Sequence, residues 1–504
     1  MVEYLQFYGI CLKEEMHMKI LNSMTGKKEE FIPINPGEVK MYACGITVYD
    51  LSHIGHARQA ITYSMITEYL KYRGYKVTYV RNYTDVDDKI IKRANERGVN
   101  AVEFAESQIV ENEKDMANLH VADADIKPKA SENIQNIINF VQGLIDNGHA
   151  YAADNGDVYF SVKTFPEYGK LSHRNVDDML NGVRIELEEG KRDPVDFALW
   201  KSAKDGEIWW DSPWGKGRPG WHIECSAMIL NTLGETIDIH GGGRDLLFPH
   251  HENEIAQSEA LTGKKFVNYW SHCGLIKING EKMSKSLGNS LTIRDALAKY
   301  NYEVIKYVMF SKHYASDIDI HDDDFRIAEG HMYYFYSTIK EMEKYIKDNN
   351  GNLDGEMIND ETTQSIKSKF IEAMDDDFNT AATIANLHVV FKYINNLMTT
   401  AKKGNKQIAA NTILKMYNEL KEAYKVLGFF EQNPDEFINE MRQKYLEKLN
   451  IKEQDIIEEI EKRKAAKSNK DFETADQIRN NLESKGIILK DTVDGTIWDF
   501  KDLY

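Results

Sequence analysis

Residues 38–81 read EVKMYACGITVYDLSHIGHARQAITYSMITEYLKYRGYKVTYVR. VKMYACGITVYD (39–50) predicts a strand running into a glycine-containing loop, and LSHIGHARQAITYSMITEYLKYRG (51–74) predicts a helix that stops at Gly74. YKVTYVRNYTD (75–85) predicts a second strand. Strand, helix, strand in this order is the βαβ unit of a parallel sheet, and the loop leaving its first strand faces the ligand side.

Outward from this unit the rhythm breaks between about residues 90 and 210. Helical stretches around Asn95–Asn118 and Ser131–Asn147 precede aromatic-rich segments such as DVYFSV (157–162) and EIWWDSPWG (207–215), and the whole reads as an insertion. The α/β pattern resumes at GETIDIHGGG (234–243), a strand ending in three glycines. PHHENEIAQSEAL (249–261) follows as a helix with Pro249 near its first turn. LIKINGEKMS (275–284) predicts a hairpin, because Asn279-Gly280 suits a tight turn. From about 320 to 430 the chain reads as helical, and Ile384, Leu387, Phe391, Ile394 and Met398 fall on one stripe, the core positions of a helical bundle. The expected fold class is α/β: a Rossmann-like parallel-sheet domain with an insertion, then an α-helical bundle, then a small C-terminal domain.

The chain has 504 residues, enough for several domains at about 150 residues each, and its 42% hydrophobic and 29% charged composition excludes wholesale disorder. The formal charge of −18 argues against a uniformly basic nucleic-acid coat but leaves room for a local basic patch. One such patch lies at Lys462–Lys490, where eight Lys/Arg face four Asp/Glu. It suits a solvated helix face or an RNA-contacting one. No stretch reaches the roughly 18 apolar residues of a membrane span. MVEYLQFYGICLKEE lacks the basic start and apolar block of a secretory leader, and a cytoplasmic location is expected. Four cysteines, Cys11, Cys44, Cys225 and Cys273, make no disulfide framework.

His53-Ile54-Gly55-His56 stands at the junction of the first loop and its helix. Two histidines three apart on a first turn point the same way, beside free amides and partial positive charge, which suits a phosphate; two structural histidines would read the same. Lys282-Met283-Ser284-Lys285-Ser286, continuing as Leu287-Gly288-Asn289, offers two lysines and two hydroxyls on a loop able to close over a polyphosphate. On an α/β chain the combination is specific. Gly241-Gly242-Gly243 with Asp245 ends a strand, where missing side chains let backbone approach a flat ligand and a carboxylate can accept ribose hydroxyls; a tight turn is the other reading. His250 and Glu254 are four apart on a predicted helix and leave the same face, while Cys44 and Cys225 lie in separate motifs. With no CxxC pair, spacing leaves both a metal site and buried small thiols open.

The two signatures resemble those of the class I aminoacyl-tRNA synthetases. MYACGITVYDLSHIGHAR, RNYTDVDDKI, GWHIECSAM, DIHGGGRDLLFPHHENEIAQSEA, KMSKSLGN and AMDDDFNTA are similar, in order, to the branch of that family that acts on cysteine. The resemblance covers about residues 18–504. It implies that Cys44, Cys225, His250 and Glu254 ligate one Zn²⁺ beside the amino-acid pocket, all four matching. The metal would select cysteine as thiolate over serine, giving the ~10⁴ discrimination that translation requires without an editing site. It also implies Mg²⁺ with ATP, catalytic roles for His53, His56, Lys282 and Lys285, an ATP site that adds Ile54, Gly55, Gly241, Gly242 and Asp245, and a cysteine pocket of Gly45, Thr84 and Trp221.

The partners it implies are tRNA-Cys, ATP and L-cysteine, acting on a monomer with no membrane association. Exposed anticodon bases could stack on aromatics such as Trp498; a packing role is the commoner reading of a lone Trp. The expected divisions are an N-terminal extension at 1–17, with Met16 and Met18 as alternative initiators; halves of the catalytic domain at 18–118 and 216–275 around an insertion at 119–215; a signature-loop and stem-contact region at 276–330; a helical anticodon-binding bundle at 331–430; and a small anticodon-binding domain at 431–504. Two alternatives accompany this reading. One is a ligase joining cysteine to a small amino-sugar, which would lack the tRNA-binding extensions; the other is an inactive RNA-binding paralogue, against which the intact signature residues argue.

Overall fold

A computed structural model describes residues 17–175, 190–282, 291–492 and 495–503. The chain falls into two compact units: residues up to 276 with 313–318 and 372–380, and residues 277–312, 319–371 and 381 onward. Among the described residues no helix is long and apolar enough to cross a membrane.

The first unit opens with an antiparallel pair, β1 (Lys19–Asn22) and β2 (Lys27–Glu30). β3 (Glu38–Ala43), α1 (Ile54–Tyr72) and β4 (Lys76–Arg81) form the expected βαβ unit, with β3 and β4 parallel. α1 is buried on nearly every face, through Ile54, Ala57, Ile61, Met65 and Leu70, as a helix pressed onto a sheet must be. α2 (Asp88–Arg97), α3 (Ala101–Asn118) and α4 (Ile134–Asp146) follow.

In the insertion β5 (Ala150–Ala152), β6 (Val158–Phe160), β7 (Phe197–Ser202) and β8 (Gly217–Pro219) make an antiparallel sheet. Its core, with Val141, Phe160, Leu199 and Trp200, reaches Ile223 and Ala227 of α5 (Trp221–Thr232). The insertion therefore fixes the helix that carries Cys225.

β9 (Ile237–Gly243), α6 (Glu252–Thr262) and β10 (Val267–Cys273) complete a four-stranded parallel sheet of order β10-β9-β3-β4. The connections run one way from β3 and the other way from β9, so the switch point lies between these two strands, where their carboxyl ends open a crevice for ligands. α6 starts later than the sequence suggests: Leu247–His251 form a single π-turn with a non-helical Phe248, and Pro249 sits in that turn rather than in the helix.

Next along the chain, β11 (Ile276–Ile278) and β12 (Glu281–Lys282) form the expected hairpin, with positive φ at both Asn279 and Gly280. After α7 (Ile293–Lys299), α8 (Tyr302–Phe310) and β13 (Ile318–Ile320) come the bundle helices. These are α9 (Asp322–Asp348), the short α10 (Glu361–Gln364), α11 (Ile366–Asp375), α12 (Thr380–Thr400), α13 (Lys406–Tyr424) and α14 (Pro434–Leu449). Of the stripe on α12, Ile384, Leu387, Phe391 and Ile394 are buried, while Met398 is only half-buried. Phe437 of α14 stacks on Tyr336 of α9 with ring centres 3.9 Å apart. α15 (Glu453–Ser468), α16 (Phe472–Ser484) and the hairpin β14 (Ile487–Thr492) and β15 (Gly495–Phe500) end the chain.

Candidate active site

His53 is the N-cap of α1, in extended backbone, with its Nδ1 accepting the Gly55 N–H at 3.1 Å. His56 Nδ1 accepts the His53 N–H at 3.3 Å, and the two rings stack with centres 3.7 Å apart. Because both Nδ1 atoms accept, each neutral ring carries its proton on Nε2. The pair thus presents N–H donors at a helix N-terminus, the arrangement an anion needs. Of the second signature, the backbone of Lys282 ends β12, while Lys285 lies outside the described residues.

Cys44 directly follows β3, and its N–H bonds the Gly241 carbonyl of β9 at 3.0 Å, placing it at the switch point. Cys225 comes from α5, His250 from the π-turn and Glu254 from the first turn of α6. All four are buried, and their ligand atoms lie within 4.8 Å of one another. The sulfurs are 3.8 Å apart, Cys44 Sγ is 3.5 Å from Glu254 Oε1, and His250 Nε2 is 3.0 Å from the same oxygen. Two thiolates at about 2.3 Å from a tetrahedral zinc subtend about this sulfur separation, so the donor set and its spacing fit Zn²⁺.

The electrostatics agree. The hydrogen bond from Cys44 brings the Cys225 thiol down to about 6, while burial, reinforced by Cys225, pushes the Cys44 thiol well up. Burial opposes the charged form of His250, but Glu254 and Cys225 outweigh it and raise the ring to about 10. Burial likewise opposes the Glu254 carboxylate, yet His240 and His250 hold it far below the usual range. A buried thiolate and a buried carboxylate brought this close are what a cation stabilises.

Several residues around the cluster were not singled out from the sequence. His240 Nε2 meets Glu254 Oε2 at 2.8 Å, and His251 Nε2 meets Cys44 Sγ at 3.3 Å. These two histidines form a second ligand set with Cys44 and Glu254, but the first set, holding both thiols, is the one zinc favours. His222 Nδ1 lies 3.0 Å from His250 Nδ1 and orients that ring. Asn82 Oδ1 accepts the Gly45 N–H at 2.8 Å and lies 3.8 Å from Cys225 Sγ, while its Nδ2 approaches Thr84 Oγ1 at 3.4 Å. One side chain thus touches Gly45, Thr84 and a thiol. The signals were faint: a doubled histidine at 250–251, a histidine at 240 just before the glycine run, and an Asn at the end of a strand.

Of the residues expected to line a cysteine pocket, Gly45 and Thr84 are joined through Asn82, and Trp221 packs on His250. A Cβ on Gly45 would stand 1.6 Å from the Asn82 carbonyl oxygen, so no other residue fits there. Thr84 is buried, and its N–H and carbonyl bond Ile46 and Val48. Trp221, 38% exposed, sits with its ring 4.3 Å from that of His250.

The glycines at 241–243 lie within β9 rather than in a tight turn, and the reason for two of them differs from the one read in the sequence. A Cβ at Gly241 would meet the Tyr63 ring at 2.2 Å, and one at Gly242 would meet His251 at 2.7 Å, so these positions admit neighbouring side chains instead of leaving open space for a flat ligand. Asp245 lies in the 3₁₀ turn that follows. Trp498 is likewise corrected: it is buried against Phe500 with the Arg442 guanidinium 4.4 Å over its ring, so it is a packing residue and not a platform for bases.

A parallel sheet with a switch point, a histidine-capped helix after its first strand and a following helical bundle define a class I aminoacyl-tRNA synthetase. Residues 30–330 match the family described as tRNA synthetases class I (C) catalytic domain, and residues 369–431 match the DALR domain. Solved structures share the fold: a Mycobacterium tuberculosis methionyl-tRNA synthetase in complex with methionyl-adenylate has a TM-score of 0.63 at 13% identity, covering 80% of this chain and 93% of that one. The cysteine–tRNA ligase of Thermodesulfovibrio yellowstonii is 48% identical over 490 residues, covering 96% of this chain and 100% of the relative. That of Syntrophotalea carbinolica is 49% identical over 485 residues, covering 96% and 99%. The chain belongs to the cysteine–tRNA ligase family.

Proposed function

We propose that the chain activates L-cysteine with Mg·ATP and transfers it to the terminal adenosine of tRNA-Cys. The single observation that carries this reading is the convergence of two buried thiols, an imidazole and a carboxylate at the switch point, beside the histidine-capped helix of the same sheet.

In the first step a cysteine carboxylate oxygen attacks the α-phosphorus, an O–P bond forms, and the P–O bond to pyrophosphate breaks. His53 and His56 donate from Nε2 to phosphate oxygens as charge builds on them, and the helix N-terminus adds its dipole. Lys285, with Lys282, neutralises the departing pyrophosphate. Asp245, in the turn after β9, receives the adenosine ribose. Gly45, Thr84 and Trp221 shape the amino-acid pocket, and Asn82 holds Gly45 and Thr84 in register. In the second step the 2′-hydroxyl of the terminal ribose attacks the activated carbonyl and releases AMP.

Cys44, Cys225, His250 and Glu254 would hold one Zn²⁺, which when bound supplies a Lewis acid that favours a thiolate over a hydroxyl. The chain is expected to work as a cytoplasmic monomer.

The test is cysteine-dependent exchange of pyrophosphate into ATP, with serine as the competing amino acid and metal content measured on the same preparation. Exchange with cysteine, discrimination against serine near ~10⁴ and about one zinc per chain are expected. Equal activation of serine, or activity in a metal-free native preparation, rejects the reading.

A further inference from the structure

Two residues beyond His56, α1 carries a buried cation that none of the chemistry above uses. Arg58 is 1% exposed and, among the described residues, makes no hydrogen bond to a carboxylate. Its guanidinium instead gathers main-chain carbonyls: Nη1 donates to Leu275 O at 3.0 Å, and Nη2 to Tyr314 O at 3.1 Å, to His313 O at 3.5 Å and to Ser316 O. Nε has no partner.

A guanidinium out of water with only neutral acceptors is an expensive arrangement, and burial lowers its affinity for the proton. What it gains is geometry: a planar fork fixes several carbonyls at once, as no single hydroxyl or ammonium can. The far side of the knot is equally determined. Asp317 Oδ1 accepts the Leu275 N–H at 2.9 Å and pairs with Arg244 Nη1 at 3.1 Å. Gly274 approaches so closely that a Cβ there would stand 2.2 Å from the Ser316 carbonyl oxygen. Next to Arg58 in sequence, Gln59 Nε2 donates to the Cys44 carbonyl at 2.5 Å. The start of α1 is thus tied on one side to the strand end bearing a thiol and on the other to segments 274–275 and 313–317.

We propose that Arg58 is a positioning residue for ATP: by binding the carbonyls of Leu275, His313, Tyr314 and Ser316 it holds the first turn of α1, and with it His53 and His56, where they meet phosphate. It acts through the histidines and touches no substrate. The inference rests on the phosphate role assigned to that turn.

The experiment is pyrophosphate exchange on the full chain for Arg58→Lys, with Michaelis constants measured separately for ATP and cysteine and zinc content measured alongside. Lysine keeps the charge but cannot fork. Arg58→Lys should raise KM for ATP, or lower kcat at saturating cysteine, between about 10- and 100-fold, the range a displacement of about 1 Å produces. KM for cysteine and zinc content should stay within about twofold. In a His56→Asn background the same substitution should cost much less, because the group it positions is gone. Wild-type ATP kinetics in Arg58→Lys overturn the proposal, and so does a loss of cysteine affinity and zinc in step with ATP, which marks a general structural role. Full additivity with His56→Asn also overturns it. Absence of exchange in the wild-type chain removes the functional reading and the inference together. Arg58→Met, which leaves the carbonyls unsatisfied, is expected to lower thermal stability as well and is informative only beside the lysine variant.

Discussion

The thiol cluster and the basic tail are opposites in how chemistry is laid along a chain. Cys44, Cys225, His250 and Glu254 span more than 200 positions, yet folding brings their ligand atoms within 4.8 Å of one another. Lys462–Lys490 is contiguous and conspicuous, yet the structure spends much of its charge internally. Arg463 binds Asp491 through both Nη atoms at 2.7 and 2.9 Å, Lys467 joins the same carboxylate at 2.7 Å, and Lys462 and Lys464 pair with Glu459 and Glu461. A scattered set becomes a site because a strand end, a turn and two helices converge at the switch point, whereas a dense run loses its apparent excess to carboxylates on its own helix and on β14. Proximity in sequence is therefore a poor guide to both.

The cluster is the easier of the two to dismantle. Cys225→Ser replaces a thiol at about 6 with a hydroxyl that does not ionise near neutrality. Zinc stoichiometry should fall below half, and exchange should drop by more than the ~10²-fold that loss of a partner behind the ligands costs. Retained zinc with wild-type exchange would leave the four residues as packed thiols and neighbours, and the contrast with the tail would vanish.

One shell outward the effect should shrink. Asn82→Ala removes the acceptor for the Gly45 N–H and the contacts to Thr84 and Cys225 while leaving all four proposed ligands in the sequence. KM for cysteine should rise about tenfold while zinc content holds, because partners behind a site tune orientation more than occupancy. A rise in KM for ATP instead would place Asn82 with the histidine turn.

The same contrast explains what was legible in the sequence. The βαβ unit, the Asn279-Gly280 hairpin and the buried stripe on α12 are written in periodicity and turn chemistry, which act over a few residues, and the structure contains all three. The ligand set was visible only through resemblance, since convergence of Cys44 with Cys225 depends on an insertion whose core fixes α5. His240, His251 and Asn82 were missed because their roles are directions of side chains, set by the pleat of β9, the π-turn and the end of β4. Gly241 and Gly242 were found for the wrong reason: the ring of Tyr63 and the imidazole of His251 occupy the space their missing side chains leave. Of the two readings of Trp498 the structure takes packing, because exposure is a tertiary property, decided here by Arg442 and Phe500.

On the tail side the largest expected effect is on stability. Arg463→Met keeps the buried stem but releases Asp491, whose carboxylate stays about half exposed and can be hydrated, so the loss should be about 1 kcal/mol or less. The hydrogen bond from Arg463, with those from Lys467 and Thr496, holds the Asp491 carboxyl well below the usual range. A depressed acid contributes stability that is full above the ordinary aspartate value of about 3.9 and is lost as pH falls below it. The difference between wild type and Arg463→Met should accordingly be present at pH 7 and close in acid, which thermal unfolding across pH will read; a gap unchanged at pH 2 would assign the effect to packing.

The smallest expected effect falls on the charges that remain in the tail. Lys470, Arg479 and Lys485 enter no ion pair among the described residues, so they are the charges the tail has left for phosphates. Lys470→Glu with Arg479→Glu should weaken tRNA charging by a few-fold, reduce the salt dependence of KM for tRNA by about one unit of slope per lost phosphate contact, and leave exchange untouched. The paired Lys462→Gln should do less, since its charge is already engaged by Glu459. Were Lys462→Gln to match the double variant, the ion pairs would be spending nothing, and the run would have to be read as one undivided basic face, as its composition alone suggests.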